Sequence, residues 1–158
     1  MSMQSNGGQE RFFITGAGQK GLYDRRSLRQ MVAEDRLEEV YAKAILLEID
    51  FASKKILRLL EIDREDMDYQ VGGYATNFTV PAVRDGVALI PSHGVIFETD
   101  LESFQITGKL TSPLFNDLHH VAWHGDRLLA VSTGLDRVIE LDCDGTVHGI
   151  YPVLPDLP

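Results

Sequence analysis

The chain has 158 residues, of which 44% are hydrophobic and 25% charged, so it can form one domain with a core but is short for two ordinary ones. Its 24 acidic and 15 basic residues give a net charge of −9, which argues against binding to nucleic acid or to an anionic membrane surface. The single cysteine excludes an internal disulfide, and the absence of a signal-like or membrane-length apolar stretch predicts a cytoplasmic protein.

The first part of the chain combines a polar start with one helical pattern. Residues 1–9 are short, polar and rich in Gly, Ser and Gln, which predicts a disordered leader. A strand is predicted from Arg11, where one basic residue precedes FFI and the small residues TGAG. Ser27 and Gln30 form a capping box, and apolar residues follow at helical spacing, so a helix over 27–38 is predicted between two strands.

One pattern then occurs three times along the chain. A strand ends in Glu and, two residues later, Asp; a tight turn and another strand follow. The three strand sequences are ILLEID at 45–50, VIFETD at 95–100 and VIELD at 138–142. The aspartates are 50 and 42 residues apart, close to the length of one propeller blade, and a carboxylate that begins a tight turn can accept backbone N–H bonds.

The repeat predicts an all-β fold, a partial β-propeller of about three four-stranded blades with one inserted helix. A sandwich could also alternate apolar and polar residues, but it does not require one turn pattern at near-constant spacing. The propeller is predicted to occupy residues 10–158, with an incomplete first blade at about 11–62, a second at about 78–111 and a third at about 116–153.

Three blades are too few to close a ring, which needs at least four. Two explanations remain. Copies of the chain associate into a homo-oligomer with a ring of about six blades, or the chain is a piece of a longer propeller whose other blades lie on a second chain or were lost. The first is favoured by a narrow margin.

The segment from Asn116 to Gly145 resembles the six-bladed propellers of the gluconolactonase, regucalcin and strictosidine-synthase group. The resemblance rests on Asn116, on the turn at 124–126, on the apolar strand at 128–131, and on the turn and strand at 133–142. It covers roughly residues 80–151 at the level of a single blade. In that group, lactonases hold a divalent metal, calcium or zinc, at the channel mouth, and the resemblance places Asn116 and Asn77 at ligand positions.

The densest polar cluster of the last blade precedes its inner strand, and it gives the candidate site. It consists of Asn116, Asp117, His119 and His120. Carboxylate, amide and imidazole groups together suit a divalent ion or general acid–base chemistry, so Asn116 and His119 are predicted metal ligands and Asp117, His119 and His120 predicted catalytic residues. Asn77 is added to the metal ligands as the resemblance implies. Strand alternation would send the two histidines to opposite faces, and Asn116-Asp117 also fits an ordinary turn.

Two functions are therefore predicted. The first is a metal-dependent, lactonase-like hydrolase that acts on a small molecule at the channel mouth. The second is a non-catalytic propeller that binds a protein or a small ligand, and the fold alone does not choose between them.

Overall fold

A computed structural model describes residues 3–6, 9–19, 41–63, 67 and 76–153, which consist of strands, turns and one short 3-10 turn. The predicted helix at 27–38 lies outside these residues. Within them, no helix is long and apolar enough to cross a membrane. The chain divides into two compact units, residues 1–78 and 79–158.

The first unit contains one antiparallel sheet, called here the first sheet, with its strands in chain order. They are β1 (Met3–Asn6), β2 (Gln9–Gln19), β3 (Tyr41–Asp50) and β4 (Lys55–Asp63). The prediction of a disordered leader is corrected for Met3–Asn6, which pairs with β2 from Met3 opposite Phe12 to Asn6 opposite Gln9. Backbone hydrogen bonds can hold a polar edge strand that lacks an apolar pattern, so the first sheet has four strands rather than three.

The second unit contains two further four-stranded antiparallel sheets. The middle sheet has β5 (Ala82–Arg84), β6 (Val87–Ser92), β7 (Val95–Asp100) and β8 (Gln105–Thr111). The last sheet has β9 (Leu118–His124), β10 (Arg127–Ser132), β11 (Arg137–Leu141) and β12 (Val147–Pro152). Three four-stranded sheets confirm the predicted all-β repeat.

Local turn chemistry explains the tight connections. Between β5 and β6 only Asp85 and Gly86 intervene, and both have positive φ, 50° and 80°, as a two-residue hairpin of type I′ requires. The Asp50 carboxylate accepts N–H bonds from Ala52 (2.9 Å) and Ser53 (3.1 Å). The Asp100 carboxylate accepts one from Ser103 at 2.6 Å, so both aspartates cap turns as the repeat predicts.

The recurring glutamates allow the three sheets to be aligned position by position. Each lies on the third strand of its sheet, opposite a residue of the second strand: Glu48 opposite Phe13, Glu98 opposite Leu89, and Glu140 opposite Leu129. We call the side of each sheet that carries these pairs its front face. The other side, the back face, carries Ile14, Ile90 and Ala130 at one equivalent position.

In the second unit, the front face of the middle sheet packs on the back face of the last sheet. Leu89 and Ile96 contribute from the middle sheet, and the last sheet contributes fully buried side chains: Leu128, Ala130, Ile139 and Leu141. Burying a side chain of this size stabilises the fold by about 1.5–3 kcal/mol. At the rim, the Arg84 guanidinium lies 3.5 Å from the centroid of the Trp123 ring and donates to the Gly125 carbonyl at 2.8 Å.

Two faces are less covered than their equivalents. On the back faces, Ile90 and Ala130 are 0% exposed, but Ile14 of the first sheet is 44% exposed. On the front faces, Ile96 of the middle sheet is buried, whereas its equivalent Val138 in the last sheet is half-buried. We call these surfaces the open back face (Ile14, Ile45 and Leu47) and the open front face (Leu129, Val131 and Val138).

The recurring glutamates differ in their partners. Glu48 is buried and ion-paired with Arg11, at 3.0 Å, and with Arg58. Glu140 is also buried, and it accepts hydrogen bonds from Arg127 (3.1 Å) and from Tyr151 (2.7 Å). The middle sheet has Val87 where the other two have arginine, and there Glu98 is exposed and accepts from the Thr107 hydroxyl at 3.0 Å.

Candidate functional site

The loop between β8 and β9 carries the predicted site residues Asn116 and Asp117, and backbone hydrogen bonds hold it against the turn between β10 and β11. Thr133 N–H donates to the Asp117 carbonyl (3.1 Å), and Gly134 N–H donates to the Asn116 carbonyl (3.0 Å). The Ser132 hydroxyl accepts from Asn116 N–H and donates to the Asn116 carbonyl. Asp117 adopts the left-handed conformation, φ 55°, which aspartate tolerates better than most residues.

The Asp117 carboxylate gathers side chains from three elements. One oxygen lies 3.1 Å from His93 Nδ1, in the turn between β6 and β7, and the other lies 3.3 Å from His119 Nε2 and accepts the Thr133 hydroxyl at 2.8 Å. We call His93, Asp117, His119 and Thr133 the Asp117 cluster. It joins the middle and last sheets at one edge.

Exposure differs across the Asp117 cluster. The side chains of His93, Asp117 and His119 are 12%, 32% and 57% exposed. His93 therefore lies on the more buried side of the carboxylate and His119 on the more exposed side. His119 is thus the member that solvent or a ligand reaches most easily. A carboxylate that orients an exposed imidazole can support proton transfer, and the same contacts also fix the loop.

His120 does not share this position. The register of β9 with β10 pairs Val131 with His120 and Ser132 with Leu118, so His119 is an extra residue in a β-bulge. His120 is exposed and lies on the front face, in the same cross-strand row as Val131 and Val138. The structure therefore brings Asp117 and His119 together and places His120 on the face away from the sheet–sheet core.

The three predicted metal ligands belong to two different units of the chain. The Asn116 amide packs directly over Gly134, where an added Cβ would lie 2.6 Å from it. Asn77 belongs to the first unit, whereas Asn116 and His119 belong to the second. Among the described residues, no group of three or more His, Cys, Asp or Glu side chains could hold a metal ion.

Sequence reasoning missed His93 as a member of the cluster. It is 24 positions from Asp117 in a turn that the pattern assigns to an outer position. Leu118 N–H donates to the His93 carbonyl at 3.0 Å, which fixes this turn beside the start of β9. The β6–β7 and β10–β11 turns both join the second and third strands of their sheets. This equivalence in the repeat could have suggested that His93 lies near the residues around Thr133.

Replacing Asp117 by asparagine is expected to lower the free energy of unfolding by about 1–2 kcal/mol, since the carboxylate that holds His93, His119 and Thr133 loses its charge. Asparagine keeps the shape and tolerates positive φ, so backbone strain does not contribute. Urea unfolding measures the loss. The control is Asp126→Asn, whose side chain is fully exposed and should change stability by less than about 0.5 kcal/mol. Equal stability of the two variants would contradict a bracing role for Asp117.

No protein-family model matches the chain, and no curated protein matches it. Solved structures do. One is Sqt1 of Saccharomyces cerevisiae, with 14% identity, a TM-score of 0.52, and coverage of 70% of this chain and 29% of that one. Another, in the mitotic checkpoint complex, has 14% identity, a TM-score of 0.50, and coverage of 72% and 35%. The propeller domain of Cps50 (Swd1) from Myceliophteria thermophila has 15% identity, a TM-score of 0.48, and coverage of 75% and 35%.

These neighbours are WD40-type β-propellers, so the propeller fold predicted from the sequence is confirmed. At this identity the similarity concerns the fold alone. The chain spans about a third of the length of the structures that it matches. None of them singles out the gluconolactonase group, and that resemblance stays a prediction.

Proposed function

We propose that this chain is a non-catalytic propeller module that binds another protein. The observation that carries the proposal is the pair of open faces, whose repeat positions are buried in other sheets of the chain. Ile14 is 44% exposed, whereas Ile90 and Ala130 at the same repeat position are 0% exposed. Apolar positions that are core in one repeat and exposed in another are typical of surfaces that a protein partner covers.

Two further observations support a binding role. The Asp117 cluster has a structural task, since Asp117 accepts hydrogen bonds from the Thr133 hydroxyl in one turn and its carboxylate lies 3.1 Å from His93 Nδ1 in another. One of the solved structures with a similar fold is that of the mitotic checkpoint complex, which agrees with a propeller that works by contact with proteins.

Photo-cross-linking in cells tests the binding role. Benzoylphenylalanine in place of Val138 puts a photoreactive group on the open front face; in place of Ile150, 48% exposed on β12 but on the back side of the sheet, it serves as the control. We expect protein adducts from position 138 and few from position 150. If both positions give the same low yield, the open front face has no protein partner.

A metal-dependent, lactonase-like hydrolase acting on small molecules is the second candidate. The observation in its favour is the Asp117–His119 pair, 3.3 Å apart with the imidazole largely exposed, which could serve as a general base toward a small ester or lactone. Its calcium or zinc does not fit the described donors, because no group of three or more His, Cys, Asp or Glu side chains there is arranged to hold a metal ion. We therefore derive no step through a metal.

Lactone hydrolysis by the purified chain tests this second candidate. A general-base role for His119 predicts turnover that His119→Ala reduces at least about 100-fold, in line with the usual contribution of acid–base catalysis. His124→Ala, which removes another exposed histidine of β9, is the matched control and should keep full activity. Hydrolysis no faster than in buffer would remove the enzyme candidate.

A further inference from the structure

The packing inside the second unit defines which faces belong together. The front face of the middle sheet meets the back face of the last sheet, and the contact is apolar at its centre: Leu89 and Ile96 pack with Leu128 and Ile139. Because the three sheets align position by position, the back face of the first sheet carries residues at the same repeat positions through which the last sheet makes this contact.

One of the two open faces is a back face and the other is a front face. The front side of the first sheet is already buried, as Leu46 (1% exposed) and Ala44 (0%) show, and so is the back side of the last sheet. What remains is a back face on the first sheet and a front face on the last. These are the two halves of the contact that the middle and last sheets make.

We propose that the protein partner is a second copy of this chain, bound head to tail. The open front face of one copy packs on the open back face of the other, which repeats the front-to-back contact within the second unit. This inference rests on the proposed function and names its partner. Each copy carries one open face of each kind, so both of its open faces can take part in contacts with a second copy.

The side chains of the two faces suit burial against each other. Ile14 and Leu47 offer branched apolar groups, as do Val131 and Val138. The charged groups beside them already have partners within their own sheet: Glu140 pairs with Arg127 and Tyr151, and Lys43 pairs with Glu61 at 3.1 Å. Association therefore covers apolar surface and leaves neither Glu140 nor Lys43 as an unpaired buried charge, the arrangement that would oppose it.

Light scattering coupled to size exclusion tests the proposal on the unaltered chain. The expected mass is twice the 17.6 kDa of the chain. Ile14→Glu places a carboxylate on the open back face and is expected to shift the mass to that of one copy, whereas Ile150→Glu, at a position of similar exposure outside both faces, should leave the pair intact. Circular dichroism verifies that both variants are folded.

Mixing two variants tests the head-to-tail arrangement. Val138→Glu on the open front face should also give single copies. A mixture of Ile14→Glu and Val138→Glu retains one unaltered contact and should recover a one-to-one pair, which a contact between two identical faces would not allow. The proposal is overturned if the unaltered chain is a single copy at all concentrations, or if the mixture fails to associate. Cross-links from position 138 to a different protein, with a single-copy chain, would retain the binding function and reject the second copy.

Discussion

Replacing Ile90 by alanine is expected to lower the free energy of unfolding by about 3 kcal/mol, whereas the same replacement at Ile14 should lower it by less than about 1 kcal/mol. The two isoleucines occupy the same position on the second strands of the middle and first sheets, and each faces the third strand: Leu47 opposite Ile14 and Phe97 opposite Ile90. Ile90 is 0% exposed and Ile14 is 44% exposed. The difference in loss therefore comes from the cavity that only the buried site leaves.

Urea unfolding in dilute solution measures both changes. The pair is matched in residue type, strand and repeat position, so differences in β-propensity cancel. If copies associate, the loss at Ile14 should grow with protein concentration, because binding stabilises only the folded chain. A loss at Ile14 as large as that at Ile90 even at the lowest concentration would mean that the first sheet's back face is covered within a single chain.

Replacing Glu48 by glutamine is expected to destabilise the protein by about 2 kcal/mol, and Glu98→Gln by less than about 0.5 kcal/mol. Both glutamates occupy the same repeat position. The Glu48 side chain is 1% exposed and holds Arg11 and Arg58, which lose their carboxylate in the variant, whereas Glu98 is exposed and binds only a hydroxyl in the contacts described. The arginines are partly exposed and regain some hydration, which keeps the loss below that of a fully buried pair.

The loss at Glu48 should depend on pH. Burial alone would raise the pKa of this carboxyl group, but hydrogen bonds and charge from Arg58 and Arg11 outweigh burial and hold its pKa below the ordinary value of 4.5. The folded state thus prefers the ionised form, so this stabilisation is present above pH 4.5 and disappears as the pH falls through the lower folded-state pKa. Unfolding curves of the unaltered chain and of Glu48→Gln should converge on acidification. Parallel curves would mean that the ion pairs contribute no pH-dependent stability.

Much of the fold was predictable because the ends of the strands are determined by residues close to them in the sequence. The Glu-x-Asp strand endings and the turns after Asp50 and Asp100 depend on residues within a few positions of one another, and the structure contains them as predicted. The strand at Met3–Asn6 was not predictable, because backbone pairing with β2 holds it and the pattern of its side chains does not indicate a strand.

The candidate site was predictable only in part. Asp117 and His119 are close in sequence, and the structure brings them together. His93 joined them through a turn of the neighbouring sheet, a contact that no local pattern encodes. The prediction that His119 and His120 point to opposite faces assumed a regular strand. The bulge at His119 interrupts the regular alternation of side chains in β9. The burial of Glu48 and Glu140 could not be predicted from local pattern either, since the arginines that pair with them are ten or more residues away in the chain.

The two uncovered surfaces differ from each other, and this asymmetry governs how many molecules can join. A surface that binds the same surface on a second copy is fully covered in a dimer. When the open front face of one copy binds the open back face of the next, one face of each kind is still exposed after every addition. Growth then stops only when the last molecule meets the first. The rotation from one sheet to the next, rather than the chemistry of either surface, would decide between a closed ring and an open filament, and a substitution that alters this rotation could convert one into the other.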